Sequence, residues 1–166
     1  MRADDMYAFE IAVHGRPPDL AAGGRHVDDL GEWPVLAVPH AALSLPMDAD
    51  FDASLERLAG LERLYVEPDG SFVWTSPAPA AGRGAARERW QVDGNAFEKD
   101  GRVLLVDLKG ACPAVDFDRL AAAFGWPGQQ LMMQLVRPAV FLEEADFRGH
   151  ARARWIAANG QGLQAD

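Results

Sequence analysis

The feature that most constrains this chain is a pair of apolar triplets, Leu64-Tyr65-Val66 and Phe72-Val73-Trp74, separated by Glu67-Pro68-Asp69-Gly70. Proline and glycine stand where a type I turn followed by a bulge requires them, so the triplets read as the two arms of a β-hairpin. Strand periodicity puts Leu64, Val66, Phe72 and Trp74 on its inner face. A second hairpin follows, with Trp90 to Phe97 returning as Val103 to Leu108 around Lys99-Asp100-Gly101. Asp93-Gly94 is expected to mark a bulge or kink in its first arm.

The remaining elements arrange themselves around these hairpins. Tyr7 to Val13 alternates, with Phe9, Ile11 and Val13 on one face of a half-buried strand that Gly15-Arg16-Pro17-Pro18 ends. The stretch through Gly23-Gly24 and Asp28-Asp29 is poorly patterned, with room for one short helix. Val35 to Val38 reads as a second, more fully buried strand, and Leu43-Ser44-Leu45 as an extended piece. Phe51, Leu55 and Leu58 recur at helical spacing behind Asp48 and Asp50, with Gly60 at the stop. Phe117, Leu120, Ala121 and Phe124 form a second stripe after Pro113, closed by Gly125 and Pro127. Leu131 to Val136 fits a strand or a helical turn, Ala139 to Leu142 a short strand, and Glu143 to Ala158 a closing helix. Runs of hairpins with helices beside them predict an α+β fold, an antiparallel-rich mixed sheet with helices mainly on one face.

A weak internal echo accompanies this order. Val35 to Val38, Asp50-Phe51-Asp52 and Gly60-Leu61 resemble Val103 to Val106, Asp116-Phe117-Asp118 and Gly125-Trp126. That is consistent with a duplicated βα unit, although any amphipathic βα pair looks similar.

Length and composition bound the rest. At 166 residues, 49% apolar and 25% charged, residues 1–166 fit a single globular domain, with a mobile inter-hairpin loop at 76–88 and a frayed tail at 161–166. No apolar run approaches the roughly 20 residues of a membrane helix, and the acidic start beyond Arg2 does not suit a signal peptide. The net charge of −9 repels phosphate backbones and anionic lipid, so neither nucleic acid nor membrane is expected as a partner. A single cysteine and an Arg- and Ala-rich composition point to a reducing, bacterial cytoplasm.

Four features bear on chemistry. The segment from Ser76 to Ala86 is long for a hairpin connection, and Arg83, Arg87 and Arg89 make it a basic island. It suits a clamp for a phosphate, a carboxylate or an acidic partner; the alternative is a flexible linker with solvated charges. Cys112 precedes a helix, where a thiol can be activated, but no histidine lies near it in sequence, so it is a weak catalytic candidate beside its reading as a small packed residue. His14, His26, His40 and His150 show no metal-site spacing, and Asp48 to Asp52 lacks the glycine and glutamate of a calcium loop, so no metal and no cofactor is expected. Trp155, between Arg154 and Ile156, is either an interface anchor or a ring packed back with Phe147 and Ala151. The expectation is a non-catalytic protein-binding or self-associating domain with a protein partner or a homo-oligomeric state. The alternative is a small enzyme or ligand sensor with a cleft beside the 76–89 loop.

Overall fold

A computed structural model describes residues 5–77 and 89–160. Among these residues nine strands form one sheet: β1 (Met6–Gly15), β2 (Ala21–Asp28), β3 (Gly31–Ala37), β4 (Leu64–Val66), β5 (Ser71–Thr75), β6 (Gln91–Lys99), β7 (Arg102–Pro113), β8 (Leu131–Leu135) and β9 (Val140–Glu143). Their order is β2-β3-β9-β8-β1-β7-β6-β5-β4. Three helices complete the fold, α1 (Phe51–Ala59), α2 (Ala114–Ala122) and α3 (Glu144–Asn159). This is the α+β fold expected, with the refinement that every strand pair is antiparallel.

The register explains why the helices gather on one face. Phe9, Ile11 and Val13 of β1 lie opposite Gly110, Leu108 and Val106 of β7, and Ile11 and Val13 lie opposite Leu135 and Met133 of β8. The same face continues through Val92 and Ala96 of β6, Phe72 and Trp74 of β5, and Leu64 and Val66 of β4. Phe51 and Leu58 from α1, Phe117 and Leu120 from α2, and Phe147 and Ala151 from α3 bury themselves in this one core. Because side chains alternate across a strand, the intervening residues face away from the helices. One row of them crosses the sheet as Tyr65, Val73, Asp93, Lys109 and Glu10.

Local chemistry sets the helix ends. The Asp50 carboxylate accepts a hydrogen bond from the Ala53 amide at 2.8 Å, a side-chain N-cap, and Gly60 closes α1. Arg148 of α3 is the most enclosed cation. Its guanidinium lies 2.7 Å from Asp118, donates to Glu144 at 3.0 Å, and stands 5.2–5.9 Å from the ring centres of Tyr7, Phe117 and Trp126. The Asp118 contact is a close ion pair without well-aligned hydrogen-bond geometry, since neither atom involved has a hydrogen-bond partner. Arg148 thereby ties α3 to α2 and β1.

Several expectations are corrected. The poorly patterned stretch through Gly23-Gly24 is β2, not a helix; it is an edge strand exposed along most of its length, so it has no apolar alternation to read. The Val35–Val38 strand is β3, ending at Ala37 and only half buried, joined to β9 through Leu36 and Phe141. Leu43 and Ser44 belong to a 3-10 turn. The irregularity in β6 falls between Phe97 and Glu98, not at Gly94. Gly94 has a different reason: a Cβ there would stand 2.1 Å from the Phe72 ring. Leu131–Leu135 is a strand, which settles the open choice for that run. Finally, the echoed units differ in place. The strand from 103 and the hairpin from 131 flank β1, whereas β3 and the β4–β5 hairpin lie toward opposite ends of the sheet.

His14 lies on the face away from the helices, buried, with its ring 5.5 Å from Phe141 and its Nε2 without a partner. Burial pushes its pKa down, and the Gln134 hydrogen bond and the charge of Asp107 oppose this only in part. The unfolded chain, with a histidine pKa of about 6.5, then binds the proton more readily than the folded one. Stability from this site is present above pH about 6.5 and is lost as pH falls through the lower folded value. We predict that His14→Leu flattens the decline of the urea midpoint between pH 7 and 5. An unchanged slope would show that other groups carry it.

Candidate anion-binding cleft

The chain leaves α1 through Gly60 and enters β4 at Leu64, turning at Arg63 with φ of +63°, in the left-handed region that side chains seldom occupy. That turn swings Arg63 against the end of β5. Its Nε donates to the Thr75 carbonyl at 3.2 Å, and its own carbonyl accepts from the Thr75 amide at 3.4 Å. Glu62, beside it, accepts from Nη1 at 3.1 Å. The Glu62 carbonyl in turn holds Trp74 through the indole N–H at 2.9 Å.

Across from Arg63 the backbone closes on itself. The Ser76 amide donates to the Trp90 carbonyl at 2.9 Å, and the Trp90 amide donates to the Ser76 hydroxyl at 3.1 Å. Trp90 is buried, edge-on to Trp74 at 5.2 Å between ring centres. Aromatic packing therefore fixes the point where the connection leaves β5 and the point where it re-enters at β6.

Between these walls is a cavity of about 570 Å³, lined by Arg63, Thr75, Ser76, Pro77, Arg89, Trp90 and Gln91. Its charged side chains are the two arginines. The hydroxyls of Thr75 and Ser76 and the Gln91 amide add polar groups, and Trp90 and Pro77 add apolar surface. Guanidinium groups in such a setting hold carboxylates or phosphates through paired, charge-assisted hydrogen bonds. Among the described residues the lining carries no carboxylate and no imidazole. No family model, curated protein or solved structure matches this chain.

The residues singled out from sequence fare differently. Arg89 lines the cleft, whereas Arg83 and Arg87 lie outside the described residues. Trp155, on α3, does not line the cleft; it is half buried and outside the core, beside an Ile156 that is 54% exposed. Cys112 lies at the end of β7 opposite Tyr7, completely buried in the core. Burial pushes its thiol pKa up, and the nearby Asp116 and Asp118 push the same way. The thiol therefore stays protonated, which removes the basis for reading it as a nucleophile. Arg63 was not visible as a site residue, because neither its left-handed turn nor its meeting with Arg89 across two hairpins has a local signature.

We predict that Cys112 in the native protein resists iodoacetamide and reacts in denaturant. Rapid native labelling, read by mass spectrometry, would place the thiol at the surface and contradict this packing.

Proposed function

We propose that the protein is a non-catalytic binding domain that seats a carboxylate-bearing segment of a protein partner in the Arg63–Arg89 cleft. The observation that carries this reading is that two arginines line a cavity with no acidic side chain among the described residues, on a protein whose net charge is −9. A local cationic site on an acidic surface selects short anionic groups, while the overall charge disfavours long polyanions such as nucleic acids. A peptide partner is favoured over a small ion because exposed apolar surface is close at hand. Tyr65 and Val73, 74% and 37% exposed, sit on the adjoining β4–β5 hairpin. Among the described residues no helix is long and apolar enough to cross a membrane. With its single cysteine buried and unpaired, the chain suits a reducing cytoplasm, and its composition suits a bacterial source.

Self-association is the second reading. Tyr65, Val73 and Phe97 lie on the sheet face that the helices leave open, and that face suits a second copy as well as a partner. Light scattering on the purified protein separates the two readings, since a dimer through this face is lost in Tyr65→Glu, whereas Arg63 and Arg89 variants keep it.

The test of the leading reading is a fluorescence titration, following the tryptophans, with a short glutamate-containing peptide and its glutamine counterpart as probes. Arg89→Ala and Arg63→Gly should each weaken glutamate-peptide binding about tenfold, roughly 1.4 kcal/mol, and the pair by more. Glycine is chosen at 63 because it accepts the left-handed turn without strain. Equal affinity for the two peptides, or variants that bind like the parent, would remove the proposal.

A further inference from the structure

A second group of side chains converges on the other side of the molecule, and the Arg63–Arg89 cleft takes no part in it. Asp28, at the end of β2, is held by three donors. Its Oδ1 accepts from the Leu30 amide at 2.9 Å and from the Trp33 indole at 3.1 Å, and its Oδ2 accepts from His150 Nε2 at 2.9 Å. His26 Nε2 stands 3.5 Å from the same Oδ2. Burial opposes ionisation of Asp28, but the hydrogen bonds from His150, Trp33 and Leu30 prevail and hold its pKa below the usual carboxylate range. His150 comes from α3, 122 positions away in sequence, and its ring lies edge-on to Trp33 at 5.0 Å.

The tie between the β2–β3 hairpin and α3 is complete with His150, Trp33 and Leu30. His26 adds little to it at 3.5 Å and keeps partial exposure. Beside these groups opens a cavity of about 490 Å³, lined by Glu10, His26, Asp28, Leu135, Val136, Arg137, Pro138, His150 and Arg154. The charged and titratable groups facing it are Glu10 from β1, His26 and Asp28 from β2, Arg137 from the β8–β9 turn, and His150 and Arg154 from α3. Glu10 is matched by Arg137 at 3.5 Å, and Asp28 by its donors. Arg154 has neither an ion pair nor a hydrogen bond among the described residues. The contrast with Arg148 on the same helix is plain, because Arg148 is occupied by two carboxylates and three aromatic rings.

We infer that this cleft is a second ligand site, taking a small organic acid whose single carboxylate is held by Arg154 and whose apolar body lies on Leu135, Val136 and Pro138. The charges support one negative group and no more. The two carboxylates and two guanidiniums of the lining cancel, so a monoanion disturbs that balance by one charge, whereas a phosphate dianion disturbs it by two. The volume exceeds that of a bare carboxylate and lies in the range of small-molecule pockets, about 300–1,000 Å³. The apolar wall accounts for the remainder.

The test is proton NMR of the histidine rings in the intact chain of 166 residues, with benzoate, acetate and inorganic phosphate as separate probes. Benzoate should shift the His26 and His150 rings saturably, acetate should bind several-fold more weakly, and phosphate should leave them in place. Arg154→Ala should weaken benzoate about tenfold with the melting temperature unchanged, since this side chain has no structural partner to lose. Arg63→Gly with Arg89→Ala should leave benzoate binding intact, which keeps this site distinct from the first. The inference falls if benzoate does not move the rings, or if Arg154→Ala binds benzoate as the parent does. It falls equally if phosphate or acetate binds as tightly as benzoate, since the cleft would then attract anions without reading their bodies.

Discussion

The structure depends on β1. Four strands lie on each side of it, and it alone joins the two blocks by sheet hydrogen bonds, pairing β7 along Met6–His14 and β8 along Ile11–Gly15. A strand paired on both edges and buried on its helix face must present a continuous apolar row there, and Tyr7, Phe9, Ile11 and Val13 supply it. A shift of one residue in its register would turn these four to the opposite face and bring Ala8, Glu10, Ala12 and His14 under the helices. The edge-on packing of Tyr7 and Phe9 against Phe117 and Phe147 places α2 and α3 over this same strand. Sheet continuity and helix placement thus rest on one run of side chains.

Division by β1 also organises the surface. The Arg63–Arg89 cleft belongs wholly to the β4–β5–β6 side, while the His26–Asp28–His150 group belongs to the β2, β8–β9 and α3 side. Glu10, which faces away from the helices, lines the second cleft from the central strand itself. Each cleft is built where a hairpin reaches beyond the well-paired sheet. β4 is a three-residue edge strand, and β3 is joined to the main sheet through one residue pair. Binding chemistry of this kind is favoured at the periphery, where backbone and side chains are released from the demands of the core.

Legibility in the sequence followed the same division. Both hairpins, the capped α1 and the α2 stripe could be read because their signals are local: Pro68 and Gly70 in a turn, Asp50 before a helical apolar spacing, Pro113 and Gly125 around another. β2 could not be read, since a strand exposed on most of its length carries no alternation. Gly94 misled for a related reason. A glycine inside a strand suggests a bulge, but here its missing side chain makes room for Phe72 from the neighbouring strand, and a pairing partner is not written in the local sequence. The sites were harder still. Arg89 was visible because it clusters with other arginines, whereas Arg63 joins it only through a left-handed turn. His26 and His150 have no recognisable spacing, because the carboxylate that relates them stands on a hairpin that must first fold back over α3.

The arginines show how a shared residue type separates into paired and unpaired positions. A guanidinium withdrawn from water must recover what hydration gave it, and Arg148 does so with Asp118, Glu144 and three ring faces. Removing Asp118 and Glu144 would leave a buried charge without a counter-charge, so Arg148 is committed to the fold. Arg16 is similarly committed, with a fork-like pairing to Glu143 at 2.7–3.0 Å. Arg89 and Arg154 have no such partners among the described residues, and Arg63 gives one nitrogen to a carbonyl and another to a glutamate that is itself 88% exposed. On a protein with an excess of acids, cations left unpaired beside cavities are the groups with donor capacity to offer. The distribution of partners, more than the number of arginines, sets Arg63, Arg89 and Arg154 apart from Arg16 and Arg148, and it is the ground on which the two clefts are proposed as ligand sites.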